Sequence, residues 1–174
     1  MMLRSGVAYR PGAVTRQVAV PPLMPGAVLR PGAVRNAASG EAEAGERRWW
    51  LRRLREAQLR TRTATGRSSL PVLVYVLAKR SDDLGGCLAV ARAHAQRQGW
   101  SVLDSYVDDL WRSEPHRRPI LARALAAVRR GDASGLVCVS RTDISASDAL
   151  YEQTLHLLHG AQGFLSLQHP ETDL

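Results

Sequence analysis

The apolar residues of this chain concentrate in short runs that begin near Leu70, and the longest of them is Leu70–Ser81 (LPVLVYVLAKRS). Nearly every position up to Ala78 is apolar, instead of every second one, and its valines and tyrosine favour extended structure. Such a run is typical of a strand buried on both faces at the centre of a parallel sheet. Its polar end, Lys79–Asp83, is then expected at the carboxyl edge of the sheet, where open α/β folds bind ligands.

The chain beyond Asp83 alternates between helical periodicity and short apolar runs. Helices are predicted where apolar residues recur every three or four positions: one ends at Gly99, a second begins at Pro119 and ends at Gly131, and a third spans Ser147–Ala161. The further strands are predicted at Trp100–Val107, Leu136–Ser140 and Phe164–Leu167. This β-α-β-α-β-α-β order predicts an α/β fold: a mainly parallel sheet of about four strands with covering helices.

The first 69 residues have a different character from the rest. Residues 1–45 are low in complexity and contain RPGAV twice, a Pro/Gly density that predicts a disordered tail. Residues 46–61 predict a basic amphipathic helix, 62–69 a linker, and 70–174 the α/β domain.

The predicted helix at 46–61 has two possible roles. Trp50, Leu51, Leu54 and Leu59 fall near one stripe. The arginines around it that are candidates for DNA binding are Arg47, Arg48, Arg52, Arg53 and Arg55. Such a helix binds nucleic acid or anionic lipid through its arginines, or packs its apolar stripe on the domain and leaves the arginines in solvent. The sequence leaves both interpretations open.

The N-terminal region and the predicted α/β domain also differ in net charge. The formal net charge of the chain is +8, but residues 1–67 hold 13 Arg against 4 Glu, whereas residues 68–174 hold 11 basic and 12 acidic residues. The basic character therefore belongs to the N-terminal third and not to the predicted α/β domain.

No feature of the sequence predicts a membrane, a metal or a cofactor. The longest apolar run is about half of the roughly 20 residues that a membrane helix needs. Prolines interrupt the N-terminal region where a signal peptide would need an apolar core, so a cytoplasmic protein with free thiols at Cys87 and Cys138 is expected. His156 and His159, three apart on a helix, are interpreted as a surface pair because no further ligands surround them.

Polar side chains collect at the predicted carboxyl edge of the sheet. They are Lys79, Arg80, Ser81, Asp108, Asp109, Arg112, Arg117, Arg118, Arg141 and Asp143. A hydroxyl among several arginines suits phosphoryl transfer, because the oxygen attacks phosphorus while guanidinium groups neutralise the phosphate. Solvated loops of an α/β protein are the alternative explanation of the same residues.

The order of these segments resembles the catalytic domain of the resolvase/invertase family of serine recombinases. That family has a strand with Tyr, then Arg-x-Ser, a helix ending near Gly-Trp, an Asp, a Ser-Gly loop, Arg-Pro opening a helix, and a strand ending in Asp-Arg-Leu-x-Arg. The matching pieces here are Tyr75, Arg92–Trp100, Ser105–Asp109, Arg118-Pro119 and Arg141. The resemblance covers a little over half of the chain.

The first catalytic motif departs from the family pattern. Counted from Tyr75, the family's arginine falls on Leu77 and its nucleophilic serine on Lys79. Ser81 takes the nucleophile position only if the alignment shifts by two residues, and Lys79 or Arg80 then stands for the arginine.

The later motifs depart as well. Trp111-Arg112 stands where the family has Ser-Gly. After the third strand, Arg141 matches the first arginine, whereas Ser140 stands at the aspartate and Ile144 at the second arginine. Arg118 matches the arginine before the helix.

The resemblance implies DNA cleavage and rejoining through a phosphoserine, with DNA as partner, a homodimer or higher oligomer, and no cofactor. The implied catalytic residues are Ser81, Arg80, Arg118 and Arg141, and the implied substrate contacts are Asp108, Asp109 and Lys79. Because key positions are substituted, we expect impaired catalysis. The alternative is a non-catalytic module that binds DNA or protein through its basic N-terminal region.

Overall fold

The structure is a computed structural model that describes residues 33–64, 69–78, 83–109 and 114–171, except the side chains of residues 33–39 and Asp109. The helices and strands in chain order are α1 (Ala33–Thr63), β1 (Pro71–Ala78), α2 (Leu84–Arg97), β2 (Ser101–Asp109), α3 (Pro119–Arg130), β3 (Gly135–Cys138), α4 (Asp148–Gly160) and β4 (Phe164–Leu167). Short 3-10 turns at Pro115–Arg117 and Arg141–Asp143 precede α3 and α4. This order confirms the predicted α/β architecture.

The four strands form one parallel sheet in the order β2-β1-β3-β4. The most apolar strand, β1, lies inside the sheet, and its residues from Val72 to Leu77 are all buried. The prediction of a central parallel strand is therefore correct. All described strands end at the same edge, which is the edge that the candidate site residues follow.

Alternate side chains of β1 enter two separate cores. On one face, Val72, Val74 and Val76 pack against α2 together with Trp100 and Phe164. On the other face, Leu73 and Tyr75 join a larger core that contains side chains of α1, α3 and α4. A strand between two helix layers has no solvent-facing side, which explains its unbroken apolar run.

The boundaries of the domain's elements follow the sequence signals closely. Pro119 is the first residue of α3, and Gly131 ends this helix with φ +81°. Gly99, with φ +74°, follows α2 in the same left-handed conformation. Strand β2 runs two residues beyond the predicted Val107, because Asp108 pairs with Leu77 of β1.

Helix α1 is longer than the sequence predicts. Its 31 residues begin at Ala33 instead of residue 46, so part of the segment that was expected to be a disordered tail is helical. The segment 33–45 is rich in alanine and glutamate, which are strong helix formers, and these outweigh Gly40 and Gly45. The rest of the predicted tail, residues 1–32, lies outside the described residues.

Helix α1 packs on the domain through its leucines. Leu51 is fully buried in the larger core, Leu54 packs against the same core, and Leu59 packs against the core on the α2 side of the sheet. The prediction that Trp50 shares this stripe is wrong, because its side chain is exposed together with that of Trp49. One residue along a helix turns a side chain by about 100°, which carries position 50 away from position 51.

Three further properties concern the residues that the structure describes. Cys87 is half-buried and Cys138 buried, and neither is in a disulfide. None of the described helices combines the length and the apolar character that a membrane span requires. In the same residues, no three His, Cys, Asp or Glu side chains lie close enough together to hold a metal ion.

Candidate active site at the carboxyl edge of the sheet

Some of the predicted site residues can be located and others cannot. Lys79, Arg80 and Ser81 lie outside the described residues, and so does the segment 110–113. Asp109 is described as the backbone partner of Ala78, without its side chain. Of the remaining polar residues at this edge, Arg117 is exposed, whereas Asp108, Arg118, Arg141 and Asp143 are buried.

Asp108 joins β2 to the start of α3. Its carboxylate accepts hydrogen bonds from the backbone N–H groups of Ile120 (3.3 Å) and Leu121 (2.8 Å), and from the Tyr75 hydroxyl (3.2 Å). A carboxylate at a helix N-terminus satisfies free N–H groups and faces the positive end of the helix dipole. Asp108 is therefore a buried anchor for α3.

Tyr75 lies in the middle of this edge, on the central strand. Burial raises the pKa of its hydroxyl well above the usual value, against the opposing effect of the nearby Arg118 guanidinium. The phenol therefore stays protonated near neutral pH and donates its hydrogen to Asp108.

Arg118 holds the connection between β3 and α4. One of its terminal nitrogens donates to the carbonyl oxygens of Asp143 (2.5 Å) and Ile144 (2.9 Å), and the residue is only 2% exposed. A guanidinium that satisfies two backbone carbonyls in this way fixes the path of a turn.

Arg141 holds the same connection from its other end. Its terminal nitrogen Nη2 donates to the carbonyl oxygen of Ala146 (3.0 Å) and to Oδ1 of Asp148 (2.6 Å). The guanidinium also lies 5.0 Å from the centre of the Tyr151 ring, and the residue is 2% exposed. Arg118 and Arg141 thus both donate hydrogen bonds to the segment 143–148.

Asp143 is a residue whose importance the sequence interpretation missed. Its carboxylate accepts hydrogen bonds from the backbone N–H groups of Leu77 (3.3 Å), Val139 (3.0 Å) and Ser140 (2.9 Å). It therefore ties the end of β1 to the turn after β3. The sequence shows an aspartate shortly after the buried strand β3, which marks a candidate site residue. Its hydrogen bond to β1 is visible only in the fold.

Two of the candidate DNA-binding arginines on α1 lie beside exposed tryptophans. The Arg47 guanidinium is 4.9 Å from the centre of the Trp50 ring and forms an ion pair with Glu152 of α4. The Arg53 guanidinium is 5.0 Å from the centre of the Trp49 ring. Both arrangements are at the surface, so these four side chains are accessible to a partner.

The other three arginines differ in exposure. Arg48 donates to the carbonyl oxygen of Ala44 (3.2 Å), and Arg52 pairs with Glu56 one turn along the helix (2.7 Å). Arg55 is buried, in contrast to the prediction that it belongs to the DNA-binding face, because it points toward the core on the same side of α1 as Leu51.

Arg55 forms a buried network with two residues from the C-terminal half of the chain. Its Nε and Nη2 donate to the two carboxylate oxygens of Glu171 at 2.7 and 2.9 Å, and the Tyr151 hydroxyl donates to the same carboxylate at 2.7 Å. Burial would lower the pKa of Arg55, but the Glu171 carboxylate outweighs it and raises that pKa. Burial also opposes ionisation of Glu171, yet the hydrogen bonds and charge of Arg55 hold its pKa below the usual value. The pair is therefore ionised.

Comparison with known proteins gives matches in structure alone. No family model and no curated protein matches the sequence. The fold is similar to the C-terminal catalytic domain of ISC1926 TnpA, an IS607-like serine recombinase, with a TM-score of 0.51 and 14% identity over 56% of this chain and 70% of that one. The N-terminal catalytic domain of TP901-1 integrase aligns with a TM-score of 0.48 and 19% identity over 56% of this chain and 77% of that one. The chain therefore has the fold of a serine recombinase catalytic domain.

Proposed function

We propose that this protein is a DNA-associated protein with the serine recombinase fold in which strand cleavage through a serine is impaired. The observation that supports this most directly is the burial and hydrogen bonding of the two arginines Arg118 and Arg141 at the carboxyl edge. Arg118 and Arg141 are both 2% exposed and donate to the chain's own oxygens. A phosphate clamp needs guanidinium hydrogens directed at the substrate, whereas one terminal nitrogen of each of these groups is bonded to the turn between β3 and α4.

The bonding of Asp143 supports the same proposal. If this buried carboxylate is the aspartate of the Asp-Arg-Leu-x-Arg motif, then Ile144 and Ser147 stand at its two arginine positions. In the alignment made from the sequence, Ser140 stands at the aspartate instead, Arg141 at the first arginine and Ile144 at the second. Removal of one charge-stabilising donor costs about 2.7–4 kcal/mol of transition-state stabilisation in comparable sites. Two such losses reduce a cleavage rate by about four orders of magnitude or more.

A covalent-trapping experiment tests the loss of cleavage. The full chain is incubated with labelled duplexes of random sequence, denatured in detergent, and separated to detect protein attached to DNA. We expect no adduct from the wild type above the level of the Ser81→Ala variant. An adduct formed by the wild type and absent from Ser81→Ala would show that the nucleophile is active and would overturn the impairment.

The association with DNA is proposed to use the arginines of α1 that lie outside the core, of which Arg47 and Arg53 are exposed and Arg48 and Arg52 half-buried. Between Glu46 and Arg53 the helix carries four arginines and one glutamate, and Arg47 and Arg53 lie over exposed rings. Arginines that neutralise phosphates release bound counterions, which makes such binding fall with salt. Arg55 is left out of this surface because its side chain is buried against Glu171, whereas the ion pairs of Arg47 and Arg52 are more exposed.

Salt-dependent binding to duplex DNA tests this association. A plot of log affinity against log salt concentration has a negative slope. In the Arg48→Gln/Arg53→Gln double variant this slope should be less steep by about 1.8, because each lost phosphate contact removes about 0.9. The matched control is Arg129→Gln/Arg130→Gln, which removes the same charge from exposed positions at the end of α3. Equal effects of the two double variants would show that α1 is not the contact surface.

A further inference from the structure

Two exposed tryptophans on α1 are not explained by packing. Trp49 is 55% exposed and Trp50 is 40% exposed, although large aromatic rings are normally buried on folding. The leucines of the same helix pack in or against the cores, and neither ring belongs to those cores. We call Trp49, Trp50, Arg47 and Arg53 the Trp/Arg surface.

Each ring of this surface has a guanidinium beside it. Arg53 is four residues after Trp49, and Arg47 is three residues before Trp50, which are the spacings of neighbours on a helix. Their guanidinium carbons lie 5.0 and 4.9 Å from the respective ring centres. A cation at this distance holds a ring in position. Arg53 also supplies positive charge beside its ring, whereas the charge of Arg47 is shared with Glu152 of α4.

We propose that the Trp/Arg surface binds single-stranded nucleic acid by stacking unpaired bases on Trp49 and Trp50 while the arginines contact the neighbouring phosphates. Aromatic rings next to positive charge are the recurring means of binding single strands without sequence preference. Duplex DNA offers its phosphates to the arginines but keeps its bases stacked within the helix. The inference rests on the proposed association with DNA and adds to it a preference for unpaired strands.

The structure favours a nucleic acid over a lipid surface at this position. A helix that inserts into a membrane interface needs a broad apolar face. Among the described side chains of α1, the large exposed apolar ones are Trp49 and Trp50, and Leu51 is fully buried. Two aromatic rings flanked by arginines match the bases and phosphates of a nucleic acid better than the acyl chains of a membrane.

Binding of a labelled 15-nucleotide oligothymidine to the full chain tests the proposal, with a hairpin duplex of the same number of phosphates as the comparison. We expect tighter binding to oligothymidine than to the hairpin. The Trp49→Leu/Trp50→Leu variant should bind oligothymidine at least about tenfold more weakly and the hairpin nearly as well as the wild type. Arg129→Gln/Arg130→Gln serves as the control and should keep the preference for the single strand.

A second measurement does not depend on the variant. Addition of oligothymidine should quench the tryptophan fluorescence of the wild-type chain, because stacked bases quench indole emission, while vesicles of phosphatidylglycerol should leave it unchanged. Equal affinity for both DNA forms, unaffected by Trp49→Leu/Trp50→Leu, would overturn the stacking inference and leave the DNA association standing. Failure to bind either form would overturn both proposals. A blue shift with vesicles and no response to oligothymidine would assign the surface to lipid and overturn the inference.

Discussion

At the scale of single residues, the ion pair between Arg55 and Glu171 is distinguished by the burial of both partners. The side chains are 5% and 0% exposed, and the Tyr151 hydroxyl completes the bonding of the carboxylate. Removing one partner of a buried pair is far more costly than the pair itself is stabilising, because the other charge stays buried without compensation.

Glu171→Gln should therefore lower the free energy of unfolding by about 3–5 kcal/mol, measured by urea denaturation. The matched control is Glu152→Gln, which breaks the more exposed ion pair with Arg47 and should cost less than about 1 kcal/mol. Equal losses in the two variants would show that burial of Glu171 contributes nothing to the stability of the protein.

The same carboxylate gives a pH dependence with a definite sign. The pKa of Glu171 is lowered from its ordinary value of 4.5, because Arg55 outweighs the effect of burial. A lowered pKa contributes stability above the unfolded-state value and loses it as the pH falls through the folded-state value. Urea midpoints should thus drop below about pH 4.5 more steeply in the wild type than in Glu171→Gln. Parallel curves for the two proteins would contradict this.

These residues also mark the limit of what the sequence reveals. Glu171 is one acidic residue near the end of the chain, and its partner is 116 positions away, so no local spacing connects them. Asp143 is similar, because its bond to Leu77 crosses 66 positions. Arg118 and Arg141 were found because they match a family motif, but their bonds to carbonyl oxygens depend on the path of the turn that they hold.

At the scale of elements, prediction succeeded where the signal is local. The span of β4 was predicted to the residue, and Pro119 and Gly131 bound α3, because proline and glycine act directly on the backbone. Helix α1 was predicted too short, because the low complexity and Pro/Gly density of residues 1–45 outweighed the alanines and glutamates in the last part of that segment. Its buried face was partly misassigned, since Trp50 is as apolar as the leucines and only the packing distinguishes them.

Two glycine substitutions test these elements with opposite expected signs. Gly131→Ala should destabilise the protein by about 1–2 kcal/mol, because φ is +81° there and a side chain disfavours this conformation. Gly45→Ala should stabilise it or raise its helicity, since Gly45 lies within α1 and an added methyl group meets nothing within 4 Å. Urea denaturation and far-ultraviolet circular dichroism measure the two effects. No change of helicity in Gly45→Ala would argue against a helix that extends this far.

At the scale of the whole molecule, α1 is part of the folded body although a linker separates it from the sheet in sequence. Leu51 belongs to the same core as Leu121 and Leu155, and Arg55 neutralises Glu171 inside that body. The exposed Trp/Arg surface is therefore held on a helix whose other side is fixed, which pre-orders the proposed binding groups.

Removal of α1 should consequently unfold the remainder. A fragment of residues 70–174 loses the burial of Leu51, worth about 1.5–3 kcal/mol, and leaves Glu171 without its counter-charge, which costs about 3–5 kcal/mol. The sum approaches the total stability of about 5–15 kcal/mol of an ordinary domain. We expect this fragment to lack a cooperative urea transition, whereas residues 33–174, which keep the described contacts of α1, should show one. A fragment 70–174 that unfolds cooperatively at the same urea concentration would mean that α1 is an accessory to the sheet and that its contacts with Glu171 and the core add no stability.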